Sequence, residues 1–185
     1  MWQLNDIQAD WTLFLDRDGV INIEKKEDYI YNKDEFIFYD TALNALSILR
    51  KYFKYIIITT NQKGIGKGLM TDADLAAIHE YMLTEIINKG GGIDAVYYSA
   101  ALDNSDPNRK PQPGMALQAK RDYPAIDFSK SIIVGNNISD MQFGRNAGMH
   151  TVFVKTTDPE NEGHETIDYA FNSLFDFAEA VAHTK

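Results

Sequence analysis

The sequence predicts an α/β domain with a central parallel sheet of about five strands, helices on both faces and a small flap after the first strand. Three observations predict it. Short apolar runs alternate with stretches of helical spacing, the pattern of repeated βαβ units and of a sheet covered on both sides. A cluster of polar, chemistry-bearing residues follows each of the first four strand-like runs. No repeat, linker or low-complexity stretch interrupts the 185 residues, a length suited to one domain. The predicted domain spans residues 1–185, with the flap at about 20–39.

Residues 11–15 are apolar and read as a short buried strand. The strand runs into Asp16-Arg17-Asp18-Gly19-Val20. Alternation across an extended chain lets Asp16 and Asp18 point the same way while Arg17 points elsewhere. Gly19 lets the chain turn away without a Cβ clash. Two carboxylates held together repel unless a cation or a shared proton offsets the repulsion. The pair suits a divalent metal with a nucleophile and an acid/base group, and an Asp-rich turn capping a strand is the plain alternative.

Residues 21–38 are polar and aromatic, with Tyr29, Tyr31, Phe36 and Phe38 at alternating positions, and read as a loop with a small hairpin or flap. Leu43, Leu46 and Leu49 mark a helix over 41–52, followed by a strand at 55–59 that ends in Thr60-Asn61-Gln62. The glycines of 63–68 match neither a dinucleotide fingerprint nor a Walker loop, and read as a turn shaping a site. Thr71 with Asp74 reads as an N-cap for a helix through Ile78, Met82 and Ile86 to Gly90. A third strand at 93–98 leads into a polar loop, 99–113, that carries Arg109 and Lys110. A helix at 114–121, a strand at 131–134 and Gly135-Asn136-Asn137 follow. A helix through Met141 to Ala147, a strand at 151–154, an apolar piece near Tyr169 and a helix over 174–182 complete the order.

Composition narrows the function. The net charge is −9 and no run of Lys or Arg stands out, which argues against nucleic acid and against an anionic membrane surface. There is no cysteine, so no disulfide and no thiolate metal site, and a reducing compartment fits. The first ten residues carry acids and no apolar signal-peptide core, and the longest apolar runs fall short of a membrane span. A cytoplasmic protein is expected. His79, His150, His164 and His183 are scattered without metal-ligand spacing.

Ligands of open parallel sheets sit beyond the carboxyl ends of the strands. An acid pair, the Thr60 hydroxyl, the Lys110 ammonium and one further metal-ligand group at that edge describe a phosphoryl-transfer site. A carboxylate nucleophile divides ester hydrolysis into formation and hydrolysis of an acyl phosphate. A divalent cation offsets the repulsion between nucleophile and phosphate, while a hydroxyl and an ammonium hold the non-bridging oxygens.

Asp16 to Val20, Thr60 after an apolar strand, Lys110, and Gly135 with Asp140 resemble the four motifs of the haloacid dehalogenase superfamily, and the longer stretches Asp16 to Asn22, Thr60-Asn61-Gln62 with Gly64-Ile65-Gly66 and Gly68, and Arg109 to Met115 resemble one subgroup of it. The resemblance is closest to the subgroup of heptose-1,7-bisphosphate and histidinol-phosphate phosphatases, and it runs from about Leu13 to beyond Val154. It implies a Rossmann-like fold, Asp16 as nucleophile and Asp18 as general acid/base. Thr60 and Lys110 would bind the transferring phosphoryl group, and Asn61 and Arg109 would face substrate. Mg²⁺ would take the Asp16 carboxylate, the Asp18 backbone carbonyl and the side chain of Asn136.

Two departures from the family pattern matter. The fourth motif usually begins Gly-Asp, and this chain has Gly135-Asn136. Asn136 is compatible with a functional variant, a weakened or non-catalytic phosphate-binding relative, or an altered version of a natural chain. Asp140 is expected to hold Lys110, to lie near the metal, or to complement a helix dipole. The loop at 99–108 also lacks the cysteines and histidine that hold zinc in many heptose-bisphosphate phosphatases, so no structural zinc is expected. The expected substrate is a small phosphorylated metabolite, heptose 1,7-bisphosphate first and histidinol phosphate as the alternative.

Overall fold

The computed structural model describes residues 2–185; of the predicted 1–185 span, Met1 lies outside the described residues. The chain alternates β1 (Thr12–Leu15), α1 (Ala42–Leu49), β2 (Tyr55–Asn61), α2 (Lys63–Gly66), α3 (Asp72–Asn88), β3 (Ala95–Ser99), α4 (Gly114–Asp122), β4 (Ser131–Gly135), α5 (Ile138–Ala147), β5 (His150–Val154), β6 (Tyr169–Phe171) and α6 (Leu174–His183). The strands form one parallel six-stranded sheet in the order β3-β2-β1-β4-β5-β6. The apolar piece near Tyr169 is thus a sixth strand at the sheet edge, one more than expected.

The two central strands are buried along their whole length. Their side chains divide by parity. Leu13, Leu15, Ile56, Ile58, Ile132 and Val134 pack with residues of α1, α3 and α6, whereas Phe14, Ile57 and Ile133 pack with Met115, Ala116 and Ala119 of α4 and Phe143 of α5. A strand covered on both faces needs apolar residues at every position, which is why these runs show no alternation.

The predicted cap of α3 forms: the Asp74 backbone N–H donates to Thr71 Oγ1 at 3.1 Å, and the Thr71 N–H donates to the Asp74 carboxylate at 2.8 Å. One local expectation changes. The glycine-rich turn is a single helical turn, α2, because Lys67 N–H and Gly68 N–H bond back to Lys63 and Ile65 carbonyls. The flap is a loop closed by an isolated antiparallel bridge between Asn22 and Phe38, in keeping with a small hairpin or flap. Ile23 N–H to Ile37 O (2.8 Å) and Tyr39 N–H to Ile21 O (3.1 Å) close its base, and its interior holds a turn of 3₁₀ helix at Lys33–Glu35. Phe36 and Phe38 pack edge-to-face at 5.0 Å, with Tyr81 of α3 against both. Among the described residues, no helix is long and apolar enough to cross a membrane.

Candidate active site

The strand order reverses beside β1, where β2 leaves on one side and β4 on the other. A cleft of about 210 Å³ opens there, lined by Asp16, Asp18, Thr60, Asn61, Arg109, Lys110, Asn136 and Asp140, so every sequence-predicted residue reaches it. Glu24, Tyr29 and Gln62 also line it.

Lys110 is the hub. Its ammonium is buried, 3.0 Å from Asp16 Oδ1 and 2.6 Å from Asp140 Oδ1, and it donates to the Thr59 carbonyl at 2.8 Å. Burial works against its charge, but Asp140 and Asp16 outweigh that penalty and hold its pKa above the ordinary lysine value. Asp140 also accepts from Asn137 N–H at 3.0 Å as part of the α5 capping box. It therefore both holds Lys110 and complements a helix start. Asp16 is pushed up to about 8 by burial and by the nearby Asp140 carboxylate, against the pull of Lys110.

Asp18 has a different environment. Arg17, fully buried, does not point elsewhere but curls back: its Nη2 donates to both Asp18 carboxylate oxygens at 2.9 Å, and its Nε to Oδ1 at 3.2 Å. Asn22 and Gln62 donate to the same carboxylate, each at 2.9 Å. Burial alone would raise the Asp18 pKa, but Arg17 and these amides hold it below the usual carboxylate range. Behind Arg17 lies His79, pushed down to about 4 by burial and by the guanidinium, so its neutral Nε2 accepts from Arg17 Nη1 at 3.2 Å. The two aspartates thus differ: Asp18 is ionised and fixed, and Asp16 gives up its proton reluctantly until a cation approaches.

The Thr60 hydroxyl accepts from Gln62 Nε2 at 2.9 Å, which leaves its proton to donate into the cleft. Asn61 lines the cleft but spends its amide on the Lys110 peptide in a reciprocal pair, 3.2 Å and 3.1 Å. Arg109 donates Nε to Asn104 and Nη1 to the Ala101 carbonyl, so among the described residues its Nη2 alone is without a hydrogen-bond partner.

For a cation, the available donors are oxygens, the hard set that Mg²⁺ takes. Asn136 is 2% exposed and its Oδ1 is buried without a hydrogen-bond partner, an acceptor held ready for a ligand. Asp16, Asp18 and Asn136 line the same cleft, so the oxygens there suit a divalent ion, although among the described residues no group of three His, Cys, Asp or Glu side chains converges. Gly19, at φ +83°, makes room: a Cβ there would stand 2.1 Å from Asn136 Nδ2. Gly19→Ala is expected to destabilise the fold by roughly 1–3 kcal/mol, from a left-handed backbone strained by a side chain plus the displaced amide. A melting midpoint unchanged from wild type would contradict that.

Residue patterns alone did not single out Glu24, Thr157 or His79. Asn22 and Gln62 lay inside the motifs but carried no assigned role; the bond from Gln62 to Asp18 spans 44 residues and has no sequence period, and that from Asn22 spans a turn whose path the sequence did not specify.

Residues 107–177 match a family model described as HAD-hydrolase-like. A D-glycero-alpha-D-manno-heptose-1,7-bisphosphate 7-phosphatase of Mycobacterium bovis is 35% identical over 179 residues, covering 95% of this chain and 93% of that protein. A D-glycero-beta-D-manno-heptose-1,7-bisphosphate 7-phosphatase of Escherichia coli K12 is 34% identical, covering 91% and 92%. The solved D,D-heptose 1,7-bisphosphate phosphatase of B. bronchiseptica, complexed with magnesium and phosphate, superposes with a TM-score of 0.86 at 28% identity, over 95% of this chain and 99% of that one.

Proposed function

We propose a mechanism that starts from one premise: this chain belongs to the haloacid dehalogenase superfamily, among its heptose-bisphosphate phosphatase relatives, and is a phosphoric monoester hydrolase. The substrate we infer is D-glycero-D-manno-heptose 1,7-bisphosphate, handled by one domain spanning residues 1–185 whose flap, about 20–39, borders the cleft. A cytoplasmic enzyme of a small metabolite, without a nucleic-acid or membrane partner, fits the net charge of −9. The observation that carries the reading is the buried Lys110 between Asp16 and Asp140, beside an ionised Asp18 at the same sheet edge.

Asp16, its proton released to solvent, attacks phosphorus as a carboxylate and forms an acyl phosphate as the P–O ester bond breaks. Asp18 takes a proton from the arriving monoester monoanion and gives it to the sugar oxygen as that oxygen leaves. Water then attacks the acyl phosphate, Asp18 takes its proton and passes it to the departing inorganic phosphate, and Asp16 returns as a carboxylate. Lys110 and the Thr60 hydroxyl hold the non-bridging oxygens, where transition-state charge is spread. Asn61 positions Lys110 through its peptide, and Arg109, through its unpaired Nη2, meets the second phosphate. Mg²⁺, held by Asp16, the Asp18 carbonyl and Asn136, would supply charge neutralisation between nucleophile and phosphate.

The test is phosphate release from heptose 1,7-bisphosphate and from histidinol phosphate, with and without Mg²⁺, for the wild-type chain and Asn136→Asp. Metal-dependent release from the heptose substrate, with histidinol phosphate at least about tenfold slower in kcat/KM, is expected; tenfold corresponds to about 1.4 kcal/mol of transition-state discrimination. The reverse preference would replace the substrate. Activity in Asn136→Asp alone would mean that the wild-type metal site is disabled, and silence from both would overturn the phosphatase reading.

A further inference from the structure

The metal site has one negative charge fewer than its carboxylate pattern calls for, since position 136 carries a neutral amide. The deficit has a neighbour. Asn136 Nδ2 donates to Glu24 Oε2 at 3.1 Å and to Thr157 Oγ1 at 2.8 Å, and Thr157 Oγ1 donates to the same Glu24 oxygen at 3.1 Å. This triangle joins the flap, the loop after β4 and the loop after β5. A carboxylate oxygen only accepts, so Glu24 dictates which way the Asn136 amide faces. Nδ2 must turn to Glu24, and Oδ1 is left buried and without a partner. Among the described residues, no hydrogen bond ends on Glu24 Oε1. Glu24 lines the same cleft as Asp16 and Asp18, from the solvent side.

We propose that Glu24 supplies the missing anionic charge of the divalent-metal site, orienting Asn136 Oδ1 as the inner ligand through one carboxylate oxygen and receiving a water of the bound ion on the other. Thr157 locks the carboxylate in that pose. The charge that the Gly-Asp motif pattern would place at position 136 is here displaced onto the flap, so metal binding and the position of the flap base are linked. The inference rests on the phosphatase reading for the presence of the metal, and on this chain's own residues for everything else.

The test is Mg²⁺ binding measured by isothermal titration calorimetry at fixed pH and ionic strength, independent of turnover. Glu24→Gln keeps an acceptor for Asn136 and Thr157 and removes only the charge. It is expected to weaken Mg²⁺ about 10- to 100-fold, the range for outer partners of metal ligands. Thr157→Val, which keeps the charge and loses the lock, is expected to weaken it by a smaller factor. Glu24→Gln combined with Asn136→Asp returns the charge to position 136 and is expected to bind Mg²⁺ at least as tightly as wild type. Thermal melts in the absence of metal confirm that each variant is folded; Glu24 is exposed and sits outside the core. Wild-type binding with Glu24→Gln unchanged within about twofold would overturn this inference alone, since a charge partner should cost about tenfold or more. A wild-type chain that binds no Mg²⁺ at millimolar concentration would overturn the metal reading and this inference together.

Discussion

Asp16→Asn is expected to lower Mg²⁺-dependent phosphate release by on the order of 10⁴-fold or more, with KM little changed, because an amide cannot form the acyl phosphate. The substitution is nearly isosteric, so Lys110 keeps Asp140 at 2.6 Å and the cleft keeps its shape. A second readout separates loss of the nucleophile from loss of the fold. Burial and Asp140 raise the wild-type Asp16 pKa to about 8, so folding opposes its ionisation. For a group shifted this way the unfolded chain releases the proton first, near pH 4, and the folded chain only near pH 8. Metal-free wild type therefore loses stability from this group as pH rises between those values, and Asp16→Asn does not. The variant is expected to melt at or above the wild-type temperature at pH 8. An acid-quenched phosphoenzyme in wild type and none in the variant would complete the case; residual turnover within tenfold of wild type would sink the assignment of the nucleophile.

Lys110→Met is expected to have the largest effect on stability. The variant leaves two carboxylates, Asp140 with its side chain fully buried and Asp16 with its side chain 15% exposed, without the cation between them. Removing one partner of a buried ion pair costs about 3–5 kcal/mol. For a chain of this size that lowers the melting midpoint by roughly 6–20 °C. Asp16 also loses the cation that pulls its pKa down, so in the variant it holds its proton to higher pH than in wild type, and the deficit should grow as pH rises through 8. Adding Asp140→Asn should recover part of the loss, although not activity, since the phosphoryl group would still lack its ammonium. A midpoint within about 2 °C of wild type at pH 8 would mean that Lys110 is not the counter-charge described here.

Much of this site was legible because its parts are local. Asp16, Asp18 and Gly19 are neighbours in sequence at the end of an apolar strand, Thr60 lies in the last two residues of β2, and Asn136 directly follows β4. A strand end is visible in sequence, and in a parallel sheet every strand ends on the same edge, so the cluster follows from the order of elements. The Thr71–Asp74 cap was equally readable, since both partners lie within one turn. Other features were not. Arg17 reads as a charge alternating away from its neighbours, whereas it is fully buried and returns to Asp18 because Gln62, Asn22 and His79 close a polar chamber around it. Asn61 reads as substrate-facing, but its amide matches the Lys110 peptide, a contact with no local signature.

By itself the sequence determined the α/β alternation, the parallel sheet, and the meeting of Asp16, Asp18, Thr60, Lys110 and Asn136 at one edge, because hydrophobic runs, helical spacing and strand-end polarity are short-range properties of a chain. Tertiary structure decided the strand order, the faces to which alternate apolar residues turn, and the pairing of Asn136 with Glu24 and Thr157. Parallel strands have no hairpin turn to choose their neighbours, and runs buried on both faces look alike in either orientation. Which polar group completes another is settled when helices pack both faces of the sheet and bring the flap, the β4 edge and the β5 edge within hydrogen-bond reach.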